Sequence, residues 1–102
     1  MSVYVDDMRA QASVPNGART VTGHWSHLLA DSHDELVAFA KIIGLRDSWI
    51  QHPNEPGEHF DVTDPKRLAA LHAGAISLPT RSQAWMDRFE SSHHQRPHTL
   101  NV

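Results

Sequence analysis

Eleven consecutive residues, Gly57-Glu58-His59-Phe60-Asp61-Val62-Thr63-Asp64-Pro65-Lys66-Arg67, constrain the fold more than any other stretch, because they write a strand end and a helix start in direct succession. Period-two alternation puts Phe60 and Val62 on one face of a strand and His59 and Asp61 on the other, one face dry and one chemical. Thr63 or Asp64 can then cap a helix, and Pro65 fits its first turn, where its missing N–H is no loss. Lys66 and Arg67 follow at once. Two cations beside the free N–H groups of a helix start favour an anion such as a phosphate or carboxylate. Each residue also has a plain reading: a cap, a solvated basic face, an exposed cross-strand pair. Their adjacency is what points to chemistry.

The surrounding chain supplies partners for this junction. Val3 and Val5 alternate with Ser2, Tyr4 and Asp6 in a first strand that ends on two carboxylates, Asp6 and Asp7. Strand ends are where open α/β sheets hold ligands, which makes both aspartates candidate metal ligands, with turn capping as the alternative. Residues 8–23 show no sustained period and read as a long loop with a tight turn at Val14-Pro15-Asn16-Gly17, and Arg9 and Arg19 on it can fold over a bound anion. If the next segment is helical, His24, His27 and Asp31 share a face at spacings of three and four, able to hold a metal or fix a histidine tautomer.

Ser32-His33-Asp34-Glu35 is a capping box, and it opens the best-defined helix. Leu36, Phe39, Ala40 and Ile43 form its apolar stripe and Gly44 ends it. A short strand is expected at residues 46–51, then a proline-containing turn, then the strand 58–62 as the second arm of a loose hairpin. The helix after it runs to Ala73, with Leu68, Leu71 and His72 turned inward, and Ala75 to Leu78 form a last strand. Thr80 caps a final helix over 81–89, where Trp85 and Phe89 meet at i, i+4 and Trp85 covers the sheet. The expected fold is α/β or α+β: a small four-stranded sheet with helices packed on it, in the order β-α-β-β-α-β plus a C-terminal helix. Residues 1–90 are expected to form one globular domain and residues 91–102 a disordered, histidine-containing tail.

Composition narrows the function classes. The 102-residue chain has room for a single modest core, and 39% hydrophobic with 21% charged residues suits a folded protein. A formal net charge of −3 argues against a general grip on nucleic acid. Without cysteine there is no disulfide, no thiolate chemistry and no cysteine-ligated zinc. No basic leader or apolar run long enough to span a bilayer is present, so a soluble cytoplasmic protein without a membrane partner is expected.

Taken together, Val3-Tyr4-Val5-Asp6-Asp7, Trp25-Ser26-His27-Leu28 with Ala30-Asp31, Glu35-Leu36 with Phe39-Ala40, and His59-Phe60-Asp61-Val62 with Lys66-Arg67 and Gly74-Ala75 resemble domain-of-unknown-function family 4031 of bacteria and their phages. The resemblance runs from about residue 2 to residue 89. It implies an alignment and a source context, and no activity. Phe60 stands where the family often has tyrosine.

The residues themselves suggest a small hydrolase acting on a phosphate-bearing substrate such as a nucleotide or nucleic-acid end. Asp6 and Asp7 would hold a divalent metal (Mg²⁺, Mn²⁺ or Zn²⁺), and His27 and His59 would serve as acid/base groups or ligands. Asp61 would orient a histidine, while Lys66 and Arg67 neutralise phosphate. The rival is a non-catalytic phage or bacterial accessory module that binds a nucleotide-like ligand or a host protein with the same cations and no metal.

Overall fold

The computed structural model describes residues 2–16 and 18–90; the tail expected at 91–102 lies outside the described residues. The chain runs β1 (Val3–Asp6), β2 (Ala10–Asn16), β3 (Arg19–Ala30), α1 (His33–Ile42), β4 (Ile50–Gln51), β5 (His59–Thr63), α2 (Asp64–His72), β6 (Ile76–Leu78) and α3 (Gln83–Glu90). It is an α+β fold with a mixed sheet. The sheet has six strands rather than four, in the order β4-β5-β3-β1-β6, with β2 paired to β3 off that path. Among the described residues only β1 and β6 pair in parallel; β3 is antiparallel to β1, β2 and β5.

β3 organises the sheet because it is twelve residues long and serves three partners. Its end, Leu28 to Ala30, pairs with Val5 to Val3, while Trp25 to Arg19 pairs with β2 in a hairpin. Between Val5↔Leu28 and Ala10↔Trp25, residues 6–9 stand opposite 26–27 alone, a bulge with two residues too many. A bulge strips backbone N–H groups of their ladder partners, and those groups must be paired some other way when covered. Here side chains do it: Asp6 Oδ1 accepts from the His27 N–H at 2.9 Å and the Met8 N–H at 3.2 Å, and Ser26 Oγ from the Arg9 N–H at 3.1 Å.

Residues 8–23 are therefore largely strand, correcting the long loop expected there. The hairpin stands out from the body, so it buries no stripe that a periodicity reading can detect; its turn residues were visible. Helical spacing in 24–31 likewise gives way to β3, which sends His24 and His27 to opposite faces. Residues 46–51 form a 3-10 turn (Asp47–Trp49) and only a two-residue strand. Leu68, expected inward, is 57% exposed, and Ala70 is the buried residue of α2.

The core lies between one sheet face and α1 with α2. Val5, Leu28, Ala30, Phe60 and Val62 from the strands meet Leu36, Phe39, Ala40 and Ile43 of α1 and Ala70 of α2. α1 starts as its capping box demands, with Ser32 Oγ accepting from the Glu35 N–H at 3.3 Å. Gly44 follows it at φ +83°, where a Cβ would come within 2.9 Å of Lys66 Nζ. No helix among the described residues is long and apolar enough to cross a membrane.

The opposite face of the sheet carries the polar residues. Tyr4 opposes Leu29 and His27 opposes Asp61, so alternation puts Tyr4, Asp6, His27, Leu29, His59 and Asp61 on one side. α3 covers part of that side: the rings of Trp85 and Phe89 stack at 4.7 Å and 10°, and both lie edge-on to His27 at 5.8 and 6.0 Å.

Candidate functional site

Three adjacent strands, β1, β3 and β5, bring Asp6, His27, His59 and Asp61 together. The His27 and His59 rings are 4.9 Å apart at 75°, and one donor atom each from His27, His59 and Asp61 lie within 4.8 Å of one another. His59 is buried, while His27 and Asp61 are half-buried.

Both imidazoles are oriented through Nδ1. His27 Nδ1 is 2.7 Å from Asp6 Oδ2, and His59 Nδ1 is 2.7 Å from the Gly57 carbonyl oxygen. A carboxylate and a carbonyl accept, so each Nδ1 donates and each Nε2 is left to serve the cluster. The carboxylate–histidine and carbonyl–histidine pairs are the supports that hold metal-ligating imidazoles in place elsewhere.

Asp6 is completely buried and its carboxylate accepts four hydrogen bonds: from the His27 ring, the His27 amide, the Met8 amide and Thr80 Oγ1 at 2.8 Å. Two carboxylate oxygens offer about four lone-pair positions, and these four donors fill them. Burial alone would raise the Asp6 carboxyl; the bonds from His27 and Thr80 outweigh it and hold it below the usual carboxylate range.

His59 and Asp61 add a charge requirement. His59 Nε2 is 3.2 Å from Asp61 Oδ1. With Nδ1 already donating, a neutral His59 would aim a lone pair at a carboxylate, so the contact is favourable only with a cation between the two atoms. A proton on His59 Nε2 would supply that charge. Burial pulls His59 down, but Asp61, the Gly57 carbonyl and the charge of Asp6 prevail and raise it above the ordinary imidazole value. The hydrogen bond with His59 holds Asp61 low, against burial and with help from the His27 charge.

The same three donors suit a divalent ion by type: two imidazole nitrogens and one carboxylate form a borderline N/O set. Bonds of roughly 2.0–2.2 Å at tetrahedral angles put donors about 3.3–3.6 Å apart, so the widest separation, 4.8 Å, must close by about an ångström. Asp61, with a side chain 34% exposed, has room to rotate inward.

The other expected site residues lie around this cluster. Asp7 Oδ1 accepts from the Thr80 N–H at 2.8 Å. Arg67 Nε donates to the Asp6 backbone carbonyl at 2.8 Å, at the end of β1, whereas Lys66 Nζ reaches the Ile43 carbonyl at 2.7 Å, at the end of α1. Asp64 forms a two-pronged ion pair with Arg9, whose guanidinium lowers its carboxyl, so the start of α2 already holds an anion. Asp31, expected beside His24 and His27, instead accepts from the Ser2 amide and the Tyr4 hydroxyl.

Thr80, Gly57 and Glu58 were missed by the sequence reading. Thr80 was expected to cap the last helix; it bonds Asp6, and Ser82 Oγ accepts from the Trp85 amide at 3.2 Å instead. Glu58 is fully buried on the core side, where its Oε2 meets His33 Nδ1 and the Asn54 amide. No short motif marks these roles, since each depends on a partner more than 20 residues away or on a backbone carbonyl.

Fold and site together define a small α+β protein with a two-histidine, one-carboxylate cluster on the face of its sheet away from the main core. Residues 3–92 match the model of a family described as Protein of unknown function (DUF4031), and the chain belongs to that family. No curated protein and no solved structure matches it.

Proposed function

We propose that this protein is a metal-assisted hydrolase acting on a phosphate-bearing substrate, such as a nucleotide or a nucleic-acid end, in a cytoplasmic setting. The observation that carries the reading is the convergence of His27, His59 and Asp61 with both Nδ1 atoms already engaged. Relative to the roles expected from sequence, the ion moves from Asp6 and Asp7 to His27, His59 and Asp61, because the Asp6 oxygens are filled by hydrogen bonds. Asp6 becomes the group that orients His27. The donor set favours Zn²⁺ or Mn²⁺ over Mg²⁺, which prefers oxygen ligands. When bound, such an ion polarises a phosphoryl oxygen and makes a water acidic enough to attack near neutral pH. Arg67, tethered beside Asp6, is the cation available to the substrate's phosphate, while Lys66 is committed to the end of α1.

The rival, a non-catalytic binding module, draws on a different observation: Trp85 and Phe89 lie against the imidazoles and restrict access to them. Turnover separates the two. His93, His94 and His98 can bind metal adventitiously, so the test uses the full chain with those three changed to alanine. Nucleotides and phosphodiesters are screened with Zn²⁺, Mn²⁺ and Mg²⁺. Metal-dependent turnover that disappears in His59→Ala and falls in Arg67→Ala supports the hydrolase. Binding of nucleotides without turnover of any phosphate ester, with or without metal, rejects it in favour of the module.

A further inference from the structure

α3 is bound weakly by ordinary criteria, because none of its residues is buried. Only Trp85 and Phe89 are half-covered. Its two ends are nevertheless tied down, and both ties run to the groups that orient the histidines. At the entry, Thr80 Oγ1 donates to Asp6 Oδ2, the same oxygen that accepts from His27 Nδ1, while the Thr80 amide is held by Asp7. At the exit, the Gly57 N–H donates to the Phe89 carbonyl at 2.9 Å, and the carbonyl of that same Gly57 accepts from His59 Nδ1. Gly57 is suited to this double duty. Its φ of +86° disfavours any side chain, and a Cβ would come within 3.3 Å of the Phe89 ring. The rings of Trp85 and Phe89 fill the space between the two ties, against His27 and His59.

We propose that the segment 80–89 is the outer support of the metal site: Thr80 positions His27 through Asp6, the Phe89–Gly57 contact positions His59, and docking of α3 and binding of the ion therefore reinforce each other. This rests on the metal-site reading above and adds residues that touch no ligand atom of the ion. Outer partners of this kind fix the tautomer and direction of an imidazole, and losing one typically weakens metal binding by about 10- to 100-fold. Thr80 acts by donating to Asp6; without that bond Asp6 Oδ2 gains freedom to turn, and the His27 ring turns with it. Linkage makes the coupling reciprocal, so the factor by which a docked α3 tightens the ion is the factor by which the ion favours docking.

The test measures Zn²⁺ affinity by competition with a chromogenic chelator, on the full chain with His93, His94 and His98 replaced by alanine. Thr80→Val keeps the shape and removes the donor, Thr80→Ser keeps the donor, and Gly57→Ala pushes on Phe89. Thermal midpoints are recorded on the same samples. The expected result is a loss of about 10- to 100-fold in Zn²⁺ affinity for Thr80→Val and for Gly57→Ala, recovered in Thr80→Ser, together with slower amide exchange across 83–90 when Zn²⁺ is added to the parent. Parent-like affinity in a folded Thr80→Val variant overturns the proposal while leaving the metal site standing. A parent that binds no Zn²⁺ removes the metal reading, and a second measurement then decides the positioning role. Nitrogen-15 spectra of the metal-free histidines should show His27 as a single Nδ1–H tautomer in the parent and as a mixture in Thr80→Val; identical spectra overturn it.

Discussion

At the scale of single residues, the decisive pair is His59 and Asp61. Their 3.2 Å contact needs positive charge between the two atoms, a place for which, on the proposed reading, a proton and a divalent ion would compete. The consequence is a definite pH dependence. The raised His59 pKa means that, without metal, its proton contributes stability below the ordinary imidazole value of 6.5, and this contribution is lost as pH rises through the higher folded-state value. On the proposed reading, metal would have to displace the same proton. Apparent Zn²⁺ affinity should therefore climb with pH through a midpoint above 6.5, and His59→Gln should flatten that rise. Calorimetric titrations in buffers of different ionisation enthalpy check this by counting protons released. No release at pH 6.5 would mean that the His59 proton does not occupy the metal's place.

At the scale of elements, local chemistry was legible at the start of α1 and at the passage from β5 to α2, but not at the start of α3, where Thr80 bonds Asp6 instead. Ser32 and Glu35 identified the start of α1, and Phe60, Val62 and Pro65 identified the passage from β5 to α2, because caps and alternation are decided within a few residues. β2 and the first half of β3 escaped because an exposed ribbon buries neither face and so carries no apolar period. The second half of β3 admits a helical reading because His24, His27 and Asp31 satisfy a three-four spacing, and short runs fit either period. α1 yields the stability prediction. Leu36 is 1% exposed in the main cluster, so Leu36→Asp buries a carboxylate without a partner and should destabilise the protein by about 3–5 kcal/mol. Urea unfolding of the parent and variant measures this, and a loss under about 1 kcal/mol would mean that α1 is not packed as described.

At the scale of the whole molecule, the sheet makes the site. Nothing in the sequence announces that β3 lies between β1 and β5, yet that order is what sets Asp6, His27 and Asp61 side by side across three strands. The site residues were therefore recognisable one by one as chemistry-bearing types, while their division of labour was not. Asp6 read as a metal ligand because a strand-end carboxylate is common in such roles. Its burial behind a bulge, where backbone N–H groups need an acceptor, is a tertiary fact. Lys66 and Arg67 read as a pair, and the helix turns them to different partners, the end of α1 and the end of β1. The proposed chemistry depends on His27, His59 and Asp61 acting on one ion. X-ray absorption at the zinc edge, on the full chain with His93, His94 and His98 replaced and one equivalent of Zn²⁺ added, measures this directly. The expected spectrum has two imidazole nitrogens at about 2.0 Å with oxygen completing the shell, and the imidazole signal drops to one in His27→Ala. A shell of oxygen alone, or one unchanged by His27→Ala, would contradict the site.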